Sequence, residues 1–224
     1  MMSDNKTSQA ANEYDANVHK TIPRYHLFHE ETIDVVATIV PKPQAWLDTG
    51  CGTGTLIAKA IEHFGQLRFV AADPAEGMLR VAAEKLANRE ITCVLSGTED
   101  LQDDTGSFDV ITAIMVHHYL GEQGRARATE NCFNLLNPGG IYITFETIKP
   151  QTELGTQLGL ARWRQAQLLN GKNPDIVDKH ISRYGIELLP ITIEAHLQLL
   201  RETGFSTVEV FWASGMQAGF YAIK

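Results

Sequence analysis

Leu47-Asp48-Thr49-Gly50-Cys51-Gly52-Thr53-Gly54 stands between a short apolar run, Ala45–Asp48, and a helical pattern, Thr55–Phe64. Its glycines at alternate positions let the backbone turn sharply and approach a ligand with no Cβ in the way. An acidic residue, Asp73, closes the next apolar run about twenty residues past the loop, where a carboxylate can accept both hydroxyls of a ribose. Loop and acid together specify an adenosine-type cofactor. The spacing is G-x-G-x-G, with Thr55 where a dinucleotide fingerprint wants its third glycine, so a nicotinamide cofactor is disfavoured. No Lys-Ser/Thr follows the glycines, which excludes a phosphate-binding P-loop.

Outward from the loop, apolar runs at Ala45–Asp48, Leu67–Asp73, Thr92–Ser96, Phe108–Met115 and Gly140–Glu146 read as buried parallel strands. Helical patterns at Thr55–Phe64, Ala75–Asn88 and Gly124–Leu136 separate them, giving a wound α/β sheet with helices on both faces. Asn137-Pro138-Gly139-Gly140 stops the third of these helices and turns into the fifth strand. After a polar, helix-like stretch comes an amphipathic helix at Thr192–Thr203, then two runs, Thr207–Trp212 and Gly219–Ile223. Their short connection predicts an antiparallel terminal hairpin on an otherwise parallel, seven-stranded, Rossmann-like sheet. The expected organisation is an N-terminal helical segment and lid at 1–44, a cofactor-binding core at 45–150, a helical insertion at 151–190 covering the substrate, and 191–224 completing the same domain.

With 224 residues and 44% hydrophobic content, the chain can bury one sizeable core. A net charge of −8 offers no long-range attraction for phosphate backbones, so nucleic acid is a poor partner and a small-molecule substrate the better one. Three widely spaced cysteines, Cys51, Cys93 and Cys132, suggest neither a disulfide framework nor a zinc knuckle and fit a reducing cytoplasm. The N-terminus lacks an apolar leader, no run approaches the ~20 residues that span a bilayer, and roughly the first ten residues are expected to be loosely ordered. A homodimer paired through the N-terminal segment or the polar stretch is compatible with this architecture.

Asp48-x-Gly50-x-Gly52-x-Gly54, Asp73, Ser107-Phe108-Asp109 and Pro138-Gly139-Gly140 resemble the class I S-adenosylmethionine-dependent methyltransferases over roughly Trp46 to Glu146. The resemblance implies S-adenosyl-L-methionine as cofactor, direct displacement at its methyl carbon, Gly50, Cys51 and Gly52 facing its methionine part and Asp73 holding its ribose. Asp48, Pro74, Ile114 and, at the adenine, Gly97 and Thr98 join this cofactor set. Ile22-Pro23-Arg24-Tyr25, Leu169-Asn170-Gly171, Glu194-Ala195-His196 and Gly204-Phe205 are more narrowly similar to the carboxy-S-adenosylmethionine synthases of tRNA uridine modification. That similarity assigns Tyr25 to the cofactor, where its ring suits a sulfonium. Two positions depart from the narrower pattern. Ile181 stands where those synthases pair an arginine with the extra carboxylate, Arg183 lying two residues away, and Gly97 stands where an aspartate holds adenine.

The C-terminal ends of the strands should gather the substrate. His117 and His118 are the candidate bases, against the plainer reading of a hydrogen-bonded helix start; transfer to a good nucleophile can also rely on alignment alone. Tyr14, Glu146, Trp163, Arg183 and Tyr184 are the candidate substrate contacts. His26, His29 and Glu30 have helical spacing but no further ligands, and no metal is expected. The reading is therefore a methyltransferase acting on a small molecule. A carboxy-S-adenosylmethionine synthase or tRNA-modifying relative, and a non-catalytic binding module, are its rivals.

Overall fold

The computed structural model describes residues 7, 10–65, 67–102 and 105–224. Apart from Thr7 and Ala10, the first ten residues, expected to be loosely ordered, lie outside the described ones. Seven strands form one sheet in the order β3-β2-β1-β4-β5-β7-β6: β1 (Ala45–Thr49), β2 (Arg68–Asp73), β3 (Ile91–Leu95), β4 (Phe108–Ile114), β5 (Leu136–Thr147), β6 (Thr207–Ser214) and β7 (Gln217–Ile223). The first five are parallel; β7 runs antiparallel to both β5 and β6, as the hairpin reading expects. Strand order reverses between β1 and β4, and the crevice at that switch point is where an open α/β sheet takes its ligand.

Eight α-helices accompany the described sheet: α1 (Tyr14–Thr21), α2 (Tyr25–Ile39), α3 (Thr55–Phe64), α4 (Glu76–Lys85), α5 (Glu122–Leu135), α6 (Glu153–Leu169), α7 (Pro174–Ile181) and α8 (Ile193–Thr203). One core layer joins Phe28, Val36, Ile57 and Ile61 of α2 and α3 to Trp46, Phe69, Ile143 and Phe145 of the sheet. The opposite layer joins Cys132, Leu135 and Leu200 of α5 and α8 to Leu47, Ile111, Tyr142 and Phe220. Alternation along the strands thus feeds two faces, each covered by helices. Trp46 is fully buried, and its indole N–H donates to Thr112 Oγ1 at 2.9 Å, so its area is gained without an orphaned donor.

Two element boundaries differ from the sequence reading by three residues or more. β5 starts at Leu136 and not at Gly140, because the terminal residue continues the ladder: Gly139 N–H donates to Lys224 O and Lys224 N–H to Gly140 O. The Pro-Gly-Gly segment is therefore a bend within paired chain, with a register shift between Phe108 and Val110 on β4. Helix α4 closes at Lys85, after which Ala87 N–H reaches back three residues to Glu84 O, a tighter turn that ends the helix short of Asn88.

The polar stretch folds as α6 and α7. Thr152 and Asn173 cap them by accepting from Gly155 N–H and Asp175 N–H, and Pro174 occupies the first turn of α7. Trp163 of α6 donates to Thr21 O at 2.7 Å, fastening this insertion to the end of α1.

Phe145 stacks on Phe28 with centroids 4.6 Å apart and meets Phe211 and Trp212 edge-on or tilted, so its ring has no room to swing. Gly219 lies opposite it, and a Cβ there would sit 2.7 Å from the ring. Gly219→Ala is expected to cost about 1–3 kcal/mol by overpacking, read as a lowered urea midpoint with an unchanged slope. An unaltered midpoint would show that the aromatic layer is not closed at this position.

Candidate active site

The turn from β1 into α3 is held to the turn from β2 into α4 by one side chain. Asp73 Oδ2 accepts Gly52 N–H and Oδ1 accepts Ala75 N–H, both at 2.9 Å. Cys51 N–H donates to Ala72 O at 3.0 Å, continuing the sheet into the loop. Gly50 has φ +62°, and a Cβ on it would fall 2.3 Å from Val116 Cγ2. The close approach of loop and β4 end therefore requires glycine.

Above these turns lies a cavity of about 360 Å³, within the size range of small-molecule sites. Its lining includes Tyr14, Gly50, Gly52, Asp73, Pro74, Gly97, Thr98 and Ile114, all expected from the sequence, together with Thr7, Glu99, Met115, Val116 and Tyr119. A small annex of about 30 Å³ holds Tyr25, Asp48 and Cys51 beside Tyr14, Gly50 and Gly52. On the other side, a recess of about 40 Å³ is lined by His118, Trp163 and Arg183, with Tyr14, Met115 and Tyr119 bordering both it and the main cavity. His117, Glu146 and Tyr184 line none of the three.

Each of those three has another place. His117 lies against Tyr142, with Nδ1 3.1 Å from the phenol oxygen. Tyr184 is half-buried in the turn after α7, in a bridge to Leu188. Glu146 is fully buried and accepts His117 N–H, His118 N–H and the Thr144 hydroxyl, with His118 Nδ1 2.7 Å from Oε2. Burial alone would raise this carboxyl, but the hydrogen bond from His118 counters it and the carboxyl is held down to about 2. His29 is buried against Tyr25, and among the described residues no group of three or more His, Cys, Asp or Glu side chains is arranged to hold a metal.

The annex is unusually acidic for its depth. Asp48 is buried, and desolvation pushes its carboxyl up to about 7, with repulsion from Asp73 adding to the rise and the Thr112 hydroxyl at 2.7 Å opposing it. Tyr14 and Tyr25 meet edge-on with ring centroids 6.5 Å apart, and burial drives Tyr14 upward and Tyr25 to about 12. Two neutral phenols and a carboxyl poised near neutrality suit a cation. At the far end, Glu99 folds its carboxylate back over Gly97, and the Thr98 hydroxyl is turned onto Thr49 Oγ1 at 2.7 Å, leaving backbone as the chief polar surface there.

Two features had little or no signal in the sequence. Met115 adopts φ +62°, a conformation that non-glycine residues rarely take, while donating to Phe145 O at 2.7 Å. Asp15 of α1 accepts Thr53 Oγ1 at 2.6 Å, Thr55 Oγ1 at 3.2 Å and Lys85 Nζ at 2.6 Å. It ties the first helix to the glycine loop and to α4.

A wound sheet with a glycine cradle, an acid at the end of β2 and a cavity over both is the arrangement in which Rossmann-like sheets take a nucleoside cofactor. Residues 47–142 match a protein-family model described as a methyltransferase domain. Over 98% of its length the chain is 22% identical to a carboxy-S-adenosyl-L-methionine synthase of Staphylococcus epidermidis, covering 96% of that protein. Over 51% of its length it is 34% identical to the ubiquinone/menaquinone biosynthesis C-methyltransferase UbiE of Erwinia tasmaniensis, covering 47% of that protein. Among solved structures, the plantazolicin methyltransferase BpumL in complex with SAH superposes with a TM-score of 0.72 at 13% identity, covering 96% of this chain and 88% of that one. The likeness is thus to S-adenosylmethionine-dependent methyltransferases, through the domain matched at residues 47–142 and through the fold.

The residues present fit that cofactor. Gly50 leaves a cradle that a Cβ would close, Asp73 presents a carboxylate whose oxygens can each accept beyond the backbone bonds they hold, and the annex offers carboxyl and aromatic faces.

Asp48 binds a proton in the folded state between its unfolded value, about 3.9, and about 7, so its contribution to stability is full below pH 4 and falls as pH rises toward 7. The buried imidazoles of His29, His117 and His196, held near 4 by burial, slope the other way and cancel in a difference measurement. The gain in unfolding free energy of Asp48→Asn over wild type should therefore grow from pH 4 to 7. A pH-independent difference would show that Asp48 ionises normally.

Proposed function

We propose that this chain transfers a methyl group from S-adenosyl-L-methionine to a small-molecule acceptor. The observation that carries this reading is the Asp73 carboxylate, fixed by Gly52 and Ala75 at the wall of the 360 Å³ cavity. When bound, the cofactor supplies a methyl carbon made electrophilic by its sulfonium. Asp73 holds the ribose hydroxyls, the backbone at Gly50, Cys51 and Gly52 receives the methionine part, and Pro74, Gly97, Thr98 and Ile114 enclose the adenine. Tyr14, Tyr25 and Asp48 offer the cation an aromatic and acidic wall. Tyr14, Trp163 and Arg183 line the acceptor side, and α1 with the α6–α7 insertion excludes water from it.

The net charge of −8 supports an acceptor other than nucleic acid. No helix among the described residues is long and apolar enough to cross a membrane, and the three free thiols support a cytoplasmic setting. A homodimer through the insertion is part of this reading, supported by exposed Leu154, Leu158, Leu169 and Ile176 on α6 and α7.

One observation favours a second reading, a carboxy-S-adenosylmethionine synthase: the likeness to such proteins runs the length of the chain. Ile181 packs against the core, but Arg183 lines the recess, where its guanidinium lies 5.9 Å from the Tyr119 ring and its Nε donates to Glu187. Mass spectrometry of the nucleoside released from freshly purified protein separates the readings, a carboxylated species favouring the second. For either, Asp73→Ala should weaken S-adenosylhomocysteine about 100-fold or more in calorimetric titration, the loss of two hydrogen bonds to a charged group. Wild-type protein that takes up neither S-adenosylmethionine nor S-adenosylhomocysteine at millimolar concentration would sink both, and binding without turnover of any acceptor would leave a non-catalytic S-adenosylmethionine-binding module.

A further inference from the structure

The recess beside the main cavity contains polar groups that cofactor binding does not use. Thr147, at the end of β5, is fully buried, lines the recess, and its hydroxyl has no partner among the described residues. A buried hydroxyl left unpaired costs free energy that a polar atom of a ligand recovers. His118 lines the same recess. Its Nδ1 is 2.7 Å from Glu146 Oε2, and Glu146 accepts a backbone N–H on each oxygen, from His117 and from His118. A carboxylate so engaged acts as an acceptor, and its 2.7 Å contact outweighs the 3.4 Å approach of Thr147 N–H to the same nitrogen, so Nδ1 carries the ring proton and Nε2 is left as the lone-pair nitrogen. This is a base whose tautomer and orientation are set by a third group.

Resting on the methyltransferase reading, we propose that the recess is the acceptor subsite, that it takes a hydroxyl group, and that His118 is the catalytic base with Glu146 as its positioning residue. The recess is about 40 Å³, room for a functional group of a few atoms, and its border with the main cavity at Tyr14, Met115 and Tyr119 leaves the acceptor's reacting atom facing the cofactor side. The chemistry selects the class of acceptor. A free amine or a carboxylate brings its own lone pair and needs no base, whereas a neutral hydroxyl is a weak nucleophile until its proton is removed. The acceptor oxygen gives its proton to His118 Nε2 and forms a bond to the methyl carbon. The electron pair of the broken carbon–sulfur bond stays on sulfur, so the positive charge passes from sulfonium to imidazolium. Glu146 stabilises that imidazolium across the existing 2.7 Å contact. Thr147 Oγ1 holds the acceptor oxygen in place.

The test uses the full chain, methyl-labelled S-adenosylmethionine and a panel of phenols and aliphatic alcohols with their amine and carboxylic acid counterparts. Label is expected in methyl ethers. His118→Ala should lower kcat about 10²–10⁴-fold with S-adenosylhomocysteine affinity unchanged, and added imidazole should restore part of the rate. Glu146→Gln should lower kcat at unchanged cofactor affinity, with partial recovery in Glu146→Asp, and Thr147→Val should raise KM for the hydroxyl acceptor. On the cofactor-free protein, nitrogen NMR of His118 should show the Nδ1–H tautomer in the wild type. Label confined to amines or carboxylates, no label in any hydroxyl compound, His118→Ala turning over at the wild-type rate, or an Nε2–H tautomer would each overturn the proposal. If S-adenosylhomocysteine binds normally while any of these holds, the methyltransferase reading survives and only the acceptor assignment falls. Should His118→Ala fail to fold, the tautomer and Thr147→Val decide the matter.

Discussion

A single carboxylate, that of Asp73, connects the two halves of the cofactor end. By accepting Gly52 N–H and Ala75 N–H it fixes the glycine turn of β1 against the helix entry of β2, twenty-three residues apart, at the mouth of the switch-point crevice. Both are N–H groups near helix starts, where unpaired donors and the helix dipole favour negative charge. The acid's two oxygens are thereby held side by side at the cavity wall. Sheet order puts it there: β1 and β2 are neighbours in parallel register, Thr49 beside Ala72, so their ends lie at one level.

Around that bond the molecule sorts its charges by depth. Asp73 remains at the cavity wall, while Asp48, one strand over and deeper, is left with the Thr112 hydroxyl as its named donor and rises toward neutrality. Glu146, deeper still, is compensated by two backbone N–H groups, a threonine hydroxyl and an imidazole, and falls to about 2. Burial acts on Asp48 and Glu146 in the same direction; the partners around each decide which is charged. Three carboxyls at the ends of β1, β2 and β5 are thus suited to three tasks: answering a cation, accepting hydroxyls and orienting a histidine.

Most of the sheet and the cofactor side were legible in the sequence because their determinants are local. Gly50, Gly52 and Asp73 carry their meaning in spacing, and buried parallel strands announce themselves as short apolar runs. The acceptor side was legible only as a set of residues, without their arrangement. His118 and Glu146 each stood out at a strand end, but twenty-eight residues separate them, and only the parallel pairing of β4 with β5 makes Glu146 the partner of His118 and turns His117 away toward Tyr142. Asp15 gave no sign at all: its partners Thr53, Thr55 and Lys85 meet it through tertiary docking of α1, and a lone aspartate on an amphipathic helix reads as solvated surface. Met115 escaped for a different reason, since nothing in a methionine predicts a left-handed backbone.

That strained residue and the Asp15 cluster bear on the same problem, which under the proposed methyl transfer is how a site open at the strand ends is kept dry enough for a sulfonium to react with the acceptor and not with water. Met115 turns the chain out of β4 so that its side chain, with Tyr119, stands between the main cavity and the recess. Tyr14, one residue from Asp15, closes the same boundary from α1, and Trp163 fastens α6 to the end of that helix. Asp15 is about half-buried; burial would raise its carboxyl, but Lys85 and the two threonines hold it low, so the clamp keeps its charge across the neutral range. The first helix is therefore held by charge at the glycine loop and by a hydrogen bond at the insertion, and the boundary it completes divides the main cavity from the recess.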